Sequence, residues 1–350
     1  MRSEVVTDTP FGMNLTSREA LFWSNRVKNE FVDGCNVRDG KKRCLPSLVV
    51  IGQVKAGTTG VFETLSAHPD VIRVSNRNHR EDNDRIIHGS DKELNLYVRH
   101  FRDREDSLLA SVDSMHIRLQ ELNETKLVLE ASPYYFSPHI DNREDITRFV
   151  TYVPSVKLIA MVRNPIDRAY SDFMMLTEES PELQNASFFE TVVREEIRIN
   201  GPALLFDKTL HHARLTASRK WPHSQTPRHF MGRLLRWGKY SMYAEQWMRV
   251  YNSSQLLFVE SDALASDATV ISRIFSWAGL AQTNQSVAFS NSAHCRGVEN
   301  VTECERARPP KKRNMSVALQ MDLVEFFRES NKRFEEMTGV DTSAWNEIVV

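Results

Sequence analysis

The sequence predicts an α/β protein in which helices cover both faces of a central parallel sheet. Short apolar, β-branched runs suited to buried parallel strands begin after Pro46 and recur three times along the chain. Helical patterns lie between and after these runs, and strands that alternate with helices favour a parallel sheet. A glycine-containing turn directly after the first run adds a third observation, because it makes the arrangement P-loop-like.

Each element follows from a local pattern. Apolar spacing at Val61, Phe62 and Leu65 predicts that the first helix begins near Thr58 and ends before "HPDV". The predicted strands cover residues 47–52, 126–132, 156–162 and 255–261. Further helices are predicted over residues 165–176, 187–198, 241–251, 269–280 and 317–337.

The length and composition are those of an ordinary globular protein. With 350 residues, 41% of them hydrophobic and 26% charged, the chain can form one large α/β domain with extensions or two modest domains. We predict a single domain over residues 46–350, after an irregular, polar lead-in over residues 1–45. Residues 291–350 form its C-terminal part, a disulfide-bracketed loop followed by a helix.

The cellular compartment is indicated by cysteines and glycosylation sequons. The chain has no long apolar run and no apolar signal-peptide core, which taken literally indicates a cytosolic protein. Two close cysteine pairs, Cys35 with Cys44 and Cys295 with Cys304, favour local disulfides and an oxidising compartment instead. Seven N-x-S/T sequons favour the same compartment, at Asn14, Asn123, Asn185, Asn252, Asn284, Asn300 and Asn314. We expect a lumenal protein whose membrane anchor is absent from this chain; the alternative is unused sequons and free thiols.

The stretch "VVIGQVKAGTTGVF" resembles a nucleotide-binding loop with its lysine displaced. Gly52 and Gly57 have the spacing of a Walker loop, but Thr58 follows where a P-loop NTPase has lysine, and Lys55 comes two residues before Gly57. A strand, a turn and a helix N-terminus still form an anion site. The predicted strand "LIAMV" also runs into Arg163 rather than a metal-binding aspartate, so a Mg²⁺-nucleotide triphosphatase fits poorly. An ordinary strand–turn–helix connection is the alternative.

A second anion-binding element is predicted in "VRNPIDRAYSDF". Arg163 stands at the carboxyl end of a predicted strand, where open α/β sheets bind ligands. Pro165 suits the first turn of a helix, and Ser171 lies two turns beyond Arg163. A guanidinium and a hydroxyl in these positions could bind one further phosphate.

Together the two elements resemble the sulfotransferase superfamily, whose sulfuryl donor is 3′-phosphoadenosine 5′-phosphosulfate (PAPS). The resemblance implies the sulfotransferase fold and a loop that holds the 5′-phosphosulfate through Lys55, Ala56, Gly57, Thr58, Thr59 and Gly60. It implies that Arg163 and Ser171 hold the 3′-phosphate, and that Lys55 meets the oxygen bridging phosphate and sulfate. No metal ion is expected.

The likeness extends over roughly residues 46–345. "LSAHPDV", "LEASPYYF", "GKYSMYAEQWMRVYNSSQLLFVESDAL" and the Cys295–Cys304 loop resemble Golgi carbohydrate sulfotransferases. The most similar types are the heparan sulfate 3-O/N-sulfotransferases and the N-acetylgalactosamine 4-sulfate 6-O-sulfotransferase. This implies a Golgi lumenal enzyme, natively a type II membrane protein. It also implies a contact of His294 with the adenine, and a basic loop containing Lys311 and Lys312 that closes over the donor.

The catalytic base is where the sequence departs from this family. In "SNRNHRED", Arg77 occupies the place of the family's glutamate, while His79 matches its histidine. His79 and Asp82 are therefore the candidate bases, and Glu81 and Glu130 are further carboxylates in reach of the same role. Alternatively, His79 is a surface imidazole, and Glu130 serves the structure.

A basic, aromatic segment predicts the acceptor. From Lys208 to Ala244 there is no Asp or Glu, while eight Lys/Arg and four His occur together with Trp221 and Trp237. Such a segment suits an anionic glycan, bound by charge and by sugar stacking. The positive charge would also suit nucleic acid, but no nucleic-acid-binding motif is present. A solvated basic loop without a ligand is the other alternative.

The predicted function is in-line transfer of a sulfuryl group from PAPS to a hydroxyl or amine of a glycan, most simply an anionic glycosaminoglycan. Two alternatives stay open at this stage. One is a P-loop kinase or NTPase, and the other is a catalytically impaired glycan-binding protein, to which Arg77 in place of the glutamate would point.

Overall fold

The computed structural model describes most of the predicted domain. The described residues are 34–38, 41–74, 93, 126–137, 146, 149, 153–178, 181–199, 233–282 and 315–349. None of the helices in these ranges combines the length and apolarity needed to cross a membrane.

A five-stranded parallel sheet forms the centre of the described part, with the strand order β4-β5-β3-β6-β7. Its strands are β3 (Leu48–Gly52), β4 (Val71–Arg73), β5 (Leu127–Ala131), β6 (Lys157–Val162) and β7 (Leu256–Glu260). A separate antiparallel hairpin precedes it, formed by β1 (Cys35–Arg38) and β2 (Lys41–Cys44).

The described helices follow or connect these strands. They are α1 (Thr58–Ser66), α2 (Pro165–Leu176), α3 (Ala186–Ile199), α4 (Tyr240–Met248), α5 (Ser261–Ser266), α6 (Ala268–Ala278) and α7 (Val317–Thr338). Short 3₁₀ turns occur at Pro181–Leu183, Arg236–Gly238 and Ser343–Asn346.

The central strands are buried on both faces because alternate residues enter two different cores. Val49 and Ile51 of β3 belong to a cluster that also contains side chains of α4 and α7. Their neighbours Leu48 and Val50 point to the other face, where the cluster contains side chains of α1 and α6. Since side chains alternate along a strand, this double burial explains the continuous apolar runs.

The structure confirms the predicted parallel sheet and the four predicted strands, each within a residue of its expected bounds. The predicted helices are present as well, although α4 ends at Met248 rather than at residue 251. After the hairpin, the described strands and α-helices include two that were not predicted: β4, which has three residues, and α5, which has six.

The N-terminal lead-in is more ordered than predicted at its end. Residues 35–38 and 41–44, expected to be irregular, form the paired strands β1 and β2, in which Cys35 pairs in register with Cys44. The predicted disulfide between these two cysteines is present. The second pair, Cys295 and Cys304, lies outside the described residues, and the single-domain boundary at residue 46 stays a prediction.

Candidate functional site

The site forms where the parallel strands end, at the carboxyl edge of the sheet, and its centre is the loop after β3. Gln53 N–H donates to the Met161 carbonyl at 2.7 Å, which ties the start of the loop to β6. Ala56 N–H then donates to the Gln53 carbonyl at 3.0 Å, and so closes a tight turn around Lys55. Lys55 has φ 66° and Gly57 has φ 82°. The left-handed conformation is natural for glycine and costly for lysine, so the loop holds Lys55 in a strained backbone state.

The N-terminus of α1 faces this turn. The helix begins at Thr58 after Gly57, and no side chain caps it by a hydrogen bond in the described structure. Its first turn contains Thr58, Thr59 and Gly60 and has no acidic residue. The first N–H groups of a helix lack intrahelical acceptors, and the helix dipole adds positive potential there, so this end suits an anion.

The second predicted element contacts the first. Arg163 follows β6 directly, and its Nη1 donates to the Lys55 carbonyl at 3.3 Å. Asn164 Oδ1 accepts from Ile166 N–H at 3.0 Å and so caps α2, with Pro165 in the first turn. Ser171 is half-buried in the second turn, about 9 Å along the helix axis from Pro165.

A buried tyrosine fixes the backbone of Arg163. The Tyr240 hydroxyl, on α4, donates to the Arg163 carbonyl at 2.8 Å. Burial raises the pKa of Tyr240 to about 12, so the hydroxyl stays protonated at neutral pH and remains a donor. Helix α4 thereby holds the end of β6 in place.

Lys55 is the lysine that this loop presents, and its environment perturbs it. Burial lowers the pKa of Lys55 below its ordinary value; Asp172 acts in the opposite direction, and the positive charge of Arg163 lowers it further. A bound anion would favour the charged form of Lys55 and so offset the cost of burying it.

Asp172, next to Ser171 on α2, binds two arginines. Its carboxylate accepts from Arg233 Nη2 at 2.8 Å and Nε at 3.0 Å, and from Arg168 Nη1 at 3.2 Å. The side chains of Arg168 and Asp172 are fully buried, whereas that of Arg233 is 19% exposed. The two arginines share this carboxylate, and the partly exposed one is Arg233.

Two further contacts hold the segment that contains Arg233. Arg168 Nη2 donates to the Leu234 carbonyl. The buried Glu196 of α3 accepts from Leu235 N–H at 2.8 Å and from Leu234 N–H at 3.4 Å. Residues 233–235 are therefore fixed by buried charged groups on α2 and α3.

Beside the loop lies a polar and aromatic group of side chains. Gln53 Nε2 donates to the Trp237 carbonyl at 2.9 Å and to Ser137 Oγ at 2.9 Å. The ring of Trp237 meets that of Tyr134 edge-on, with centroids 5.9 Å apart. The Arg233 guanidinium lies over the Trp237 ring, 4.5 Å from its centroid.

Glu130, one of the further carboxylates considered for the base, is buried and hydrogen-bonded. It is fully buried at the end of β5, and its Oε1 accepts from Ser132 Oγ at 2.6 Å and from Tyr135 OH at 2.8 Å. These contacts favour the structural alternative considered for this residue.

The structure brings together the predicted loop Lys55–Gly60 and the element that begins at Arg163. Several other candidates lie outside the described residues, namely Arg77, His79, Glu81, Asp82, His294, Lys311 and Lys312. Of the segment Lys208–Ala244, residues 233–244 are described.

Sequence reasoning missed three residues of the site: Gln53, Tyr134 and Asp172. Asp172 had a detectable signal, because it follows Arg168 at the i,i+4 spacing of a helical ion pair. Gln53 lies inside the recognised loop but belongs to no binding motif. Tyr134 approaches Trp237 only through the fold, so nothing local in the sequence indicates it.

The comparisons with known proteins agree with this geometry. The family model described as "Sulfotransferase domain" matches residues 45–300. Heparan sulfate glucosamine 3-O-sulfotransferase 3A1 of Mus musculus is 26% identical over 320 residues, which are 87% of this chain and 65% of that protein. Bifunctional heparan sulfate N-deacetylase/N-sulfotransferase 1 of Caenorhabditis briggsae is 26% identical over 296 residues, 83% of this chain and 30% of that protein. This chain thus spans less than two thirds of either relative.

A solved structure shows the same fold. The sulfotransferase from Alicyclobacillus acidocaldarius superimposes with a TM-score of 0.54 at 19% identity, covering 87% of this chain and 100% of that one.

Proposed function

The chain belongs to the sulfotransferase domain family, and on that premise we propose that it transfers a sulfuryl group from PAPS to a hydroxyl or amine of an anionic glycosaminoglycan. One observation carries the proposal. Arg163 Nη1 contacts the Lys55 carbonyl, so a lysine, an arginine and an uncapped helix N-terminus converge at the carboxyl edge of the sheet. This arrangement suits a ligand with several anionic groups.

The residues present fit PAPS. Lys55, Ala56, Gly57, Thr58, Thr59 and Gly60 would hold the 5′-phosphosulfate, with backbone N–H groups and hydroxyls as donors. Arg163 and Ser171 would hold the 3′-phosphate. His294, Lys311 and Lys312 are proposed as further donor contacts on the strength of the family resemblance. PAPS supplies the sulfuryl group, whose bond to the bridging oxygen breaks as a bond to the acceptor oxygen or nitrogen forms, leaving 3′-phosphoadenosine 5′-phosphate (PAP).

The chain's own groups would stabilise developing negative charge and accept one proton. Lys55 would stabilise the negative charge that develops on the bridging oxygen, and the N-terminus of α1 would stabilise the phosphate. The acceptor's proton would pass to His79 or Asp82, the proposed bases. The left-handed turn at Lys55 and the contacts of Arg163 keep these donors in place before the ligand arrives, which lowers the cost of ordering them.

The acceptor class rests on charge and on the relatives. Two relatives carry heparan sulfate in their names. The segment Lys208–Ala244, which has no acidic residue, would bind an anionic polymer over several sugars. We therefore propose a sulfated or uronic-acid glycan rather than a neutral one.

A transfer assay tests this function. Radiolabelled sulfate is followed from PAPS to a panel of heparan, chondroitin and dermatan sulfates, with Lys55→Ala as the inactive variant and Lys55→Arg as the matched variant that keeps the charge. We expect transfer to at least one polymer by the wild type and a loss of about 10²–10³-fold in Lys55→Ala, the size of one missing charge-stabilising donor.

Other outcomes point to the other functions. PAP binding without transfer to any polymer would favour a glycan-binding protein that has lost catalysis. Stabilisation by ATP with Mg²⁺, and none by PAP, would favour a kinase or NTPase. Either result would overturn the proposed transfer.

We infer that the protein works in the Golgi lumen, natively as a type II membrane protein. The Cys35–Cys44 disulfide supports an oxidising compartment. Asn252 is exposed, and Ser254 Oγ donates to its Oδ1 at 2.6 Å. Glycosidase treatment of the secreted protein should remove a glycan from the wild type and one fewer from Asn252→Gln. A protein with no removable glycan and reduced thiols would contradict a lumenal location.

A further inference from the structure

The second side of the site contains three residues that are not among the proposed donor contacts: Tyr134, Arg233 and Trp237, called here the Tyr134–Arg233–Trp237 cluster. Its members come from two distant parts of the chain, one after β5 and one just before α4. The Trp237 carbonyl accepts from Gln53, two residues before Lys55, so the cluster adjoins the donor loop.

The cluster lies partly on the other side of the loop from the 3′-phosphate element. In the sheet, β3 stands between β5 and β6. Tyr134 follows β5, whereas Arg163 follows β6, so the two residues leave the sheet on opposite sides of the loop after β3. Tyr134 therefore approaches the loop from the side of β5, whereas Arg233, which binds Asp172 of α2, approaches it from the side of β6.

The guanidinium of Arg233 is held in one orientation. Its Nε and Nη2 bind the buried Asp172 side by side, and its Cζ atom lies 4.5 Å from the Trp237 centroid and 5.8 Å from the Tyr134 centroid. Arginine has five N–H donors, and the fork to Asp172 uses two of them, which leaves donors for another acceptor. Arg168 also binds Asp172, so the two arginines share one carboxylate.

The two rings add an apolar surface next to this charge. Tyr134 is 39% exposed, and Trp237 is half-buried beside it. A pyranose ring presents a face of C–H groups, which packs against an aromatic ring, while its carboxylate or sulfate accepts from a guanidinium. A rigid cation bordered by two aromatic rings thus matches an anionic sugar better than it matches a flexible peptide or a nucleotide phosphate chain.

We propose that the Tyr134–Arg233–Trp237 cluster is the acceptor subsite, in which one sugar stacks on the rings and its anionic group binds Arg233 beside the donor loop. The inference rests on the proposed function and deepens it, since it assigns the sugar next to the reacting group to named side chains. Asp172 is then a positioning residue that holds Arg233 without touching the acceptor.

Binding without chemistry tests the subsite. The affinity of a heparan sulfate hexasaccharide is measured by titration calorimetry against the PAP-saturated protein, for wild type, Tyr134→Ala, Tyr134→Phe and Arg233→Gln. We expect Tyr134→Ala to lose about three- to tenfold in affinity, the size of one ring contact, and Tyr134→Phe to retain it. Arg233→Gln should lose about tenfold or more, as expected for a charge-assisted contact. A hexasaccharide of chondroitin sulfate is tested in parallel, and the subsite is assessed on whichever binds the wild type more tightly.

PAP affinity and thermal unfolding provide the controls. Both should stay unchanged in Tyr134→Ala, whose side chain is partly exposed. The subsite is refuted if Tyr134→Ala and Arg233→Gln bind the hexasaccharide as the wild type does. It is equally refuted if their PAP affinity falls by the same factor, because the cluster would then serve the donor.

The transfer assay separates this inference from the proposed function. Unchanged acceptor KM in Tyr134→Ala, with normal transfer, removes the subsite and leaves the function standing. Hexasaccharide binding that depends on Tyr134, in a wild type that transfers no sulfate, removes the function and leaves the subsite standing.

Discussion

The proposed donor side and the proposed acceptor side of this site are built in different ways. The donor side places Lys55 and Arg163 on a fixed backbone: a turn with two left-handed residues, the first turn of α1 and the start of α2. The acceptor side is made of the side chains of Tyr134, Arg233 and Trp237, which buried charges on α2 and α3 support. The donor side depends on fixed chain geometry as well as on Lys55 and Arg163, whereas the acceptor side can change its ligand by substitution of single side chains. The difference predicts a constant donor and an adaptable acceptor.

Asp172 supports both sides, because it lies next to Ser171 on α2 and binds Arg233. Its removal should therefore have the largest effect, which is on stability. Asp172→Ala leaves the fully buried Arg168 without its carboxylate partner. We expect the free energy of unfolding to fall by about 3–5 kcal/mol, the usual cost of breaking a buried ion pair by removing one partner. Chemical denaturation measures it.

Asp322→Ala is the matched control, because it removes an aspartate from the exposed ion pair with Arg194. Its unfolding free energy should change by less than about 1 kcal/mol. If the two variants are equally stable, Asp172 does not support both sides of the site.

Arg163→Ala should affect the donor side alone. It removes a guanidinium proposed to bind the 3′-phosphate and the contact with the Lys55 carbonyl. Calorimetric titration should show PAP affinity reduced by about 10–100-fold, since a hydrogen bond to a charged group contributes about 1.5–3 kcal/mol.

Arg194→Ala, a surface arginine on α3, should leave PAP affinity unchanged. The acceptor KM of Arg163→Ala, measured at saturating PAPS, should equal that of the wild type. An increase in acceptor KM alone would mean that Arg163 binds the acceptor rather than the donor.

The smallest expected effect is a fall in PAP affinity with rising pH, caused by the titration of Lys55. Its pKa is lowered mainly by burial, so Lys55 loses its proton at a lower pH than an ordinary lysine does. Above that pH the neutral amine no longer attracts the donor, and PAP affinity should fall as pH rises. Titrations from about pH 7 to about pH 10, where an ordinary lysine begins to titrate, should show this fall.

Lys55→Arg keeps a permanent charge in the same backbone conformation. Its PAP affinity should therefore stay level over the same pH range. A parallel decline in both proteins would assign the pH dependence to another group.

The same difference explains what could be predicted from the sequence. The donor loop was predictable because close backbone approach at Gly57 and the lysine of the turn impose residue types at fixed spacing. The bounds of α2 were predictable because Pro165 marks its first turn and the apolar pattern stops at Leu176. The parallel sheet followed from its buried β-branched runs.

The acceptor side could not be predicted in the same way. Arg233 and Asp172 are 61 residues apart, and no periodicity links them to Tyr134. Short elements also gave no signal: β4 has three residues, and the β1–β2 hairpin consists of polar sequence without apolar alternation. Their positions depend on strand pairing and on one disulfide, which are properties of the folded chain.

The hairpin lies at the edge of the sheet opposite the site. Leu45 N–H donates to the Gly34 carbonyl at 2.8 Å, and a Cβ on Gly34 would press on Val153, which lies shortly before β6 begins. The hairpin is therefore docked at the amino edge of the sheet, where Asn252 also stands, just ahead of β7. The amino edge lies opposite the carboxyl edge, where Lys55 stands. A glycan on Asn252 would therefore stand at the far edge of the sheet from the proposed donor loop.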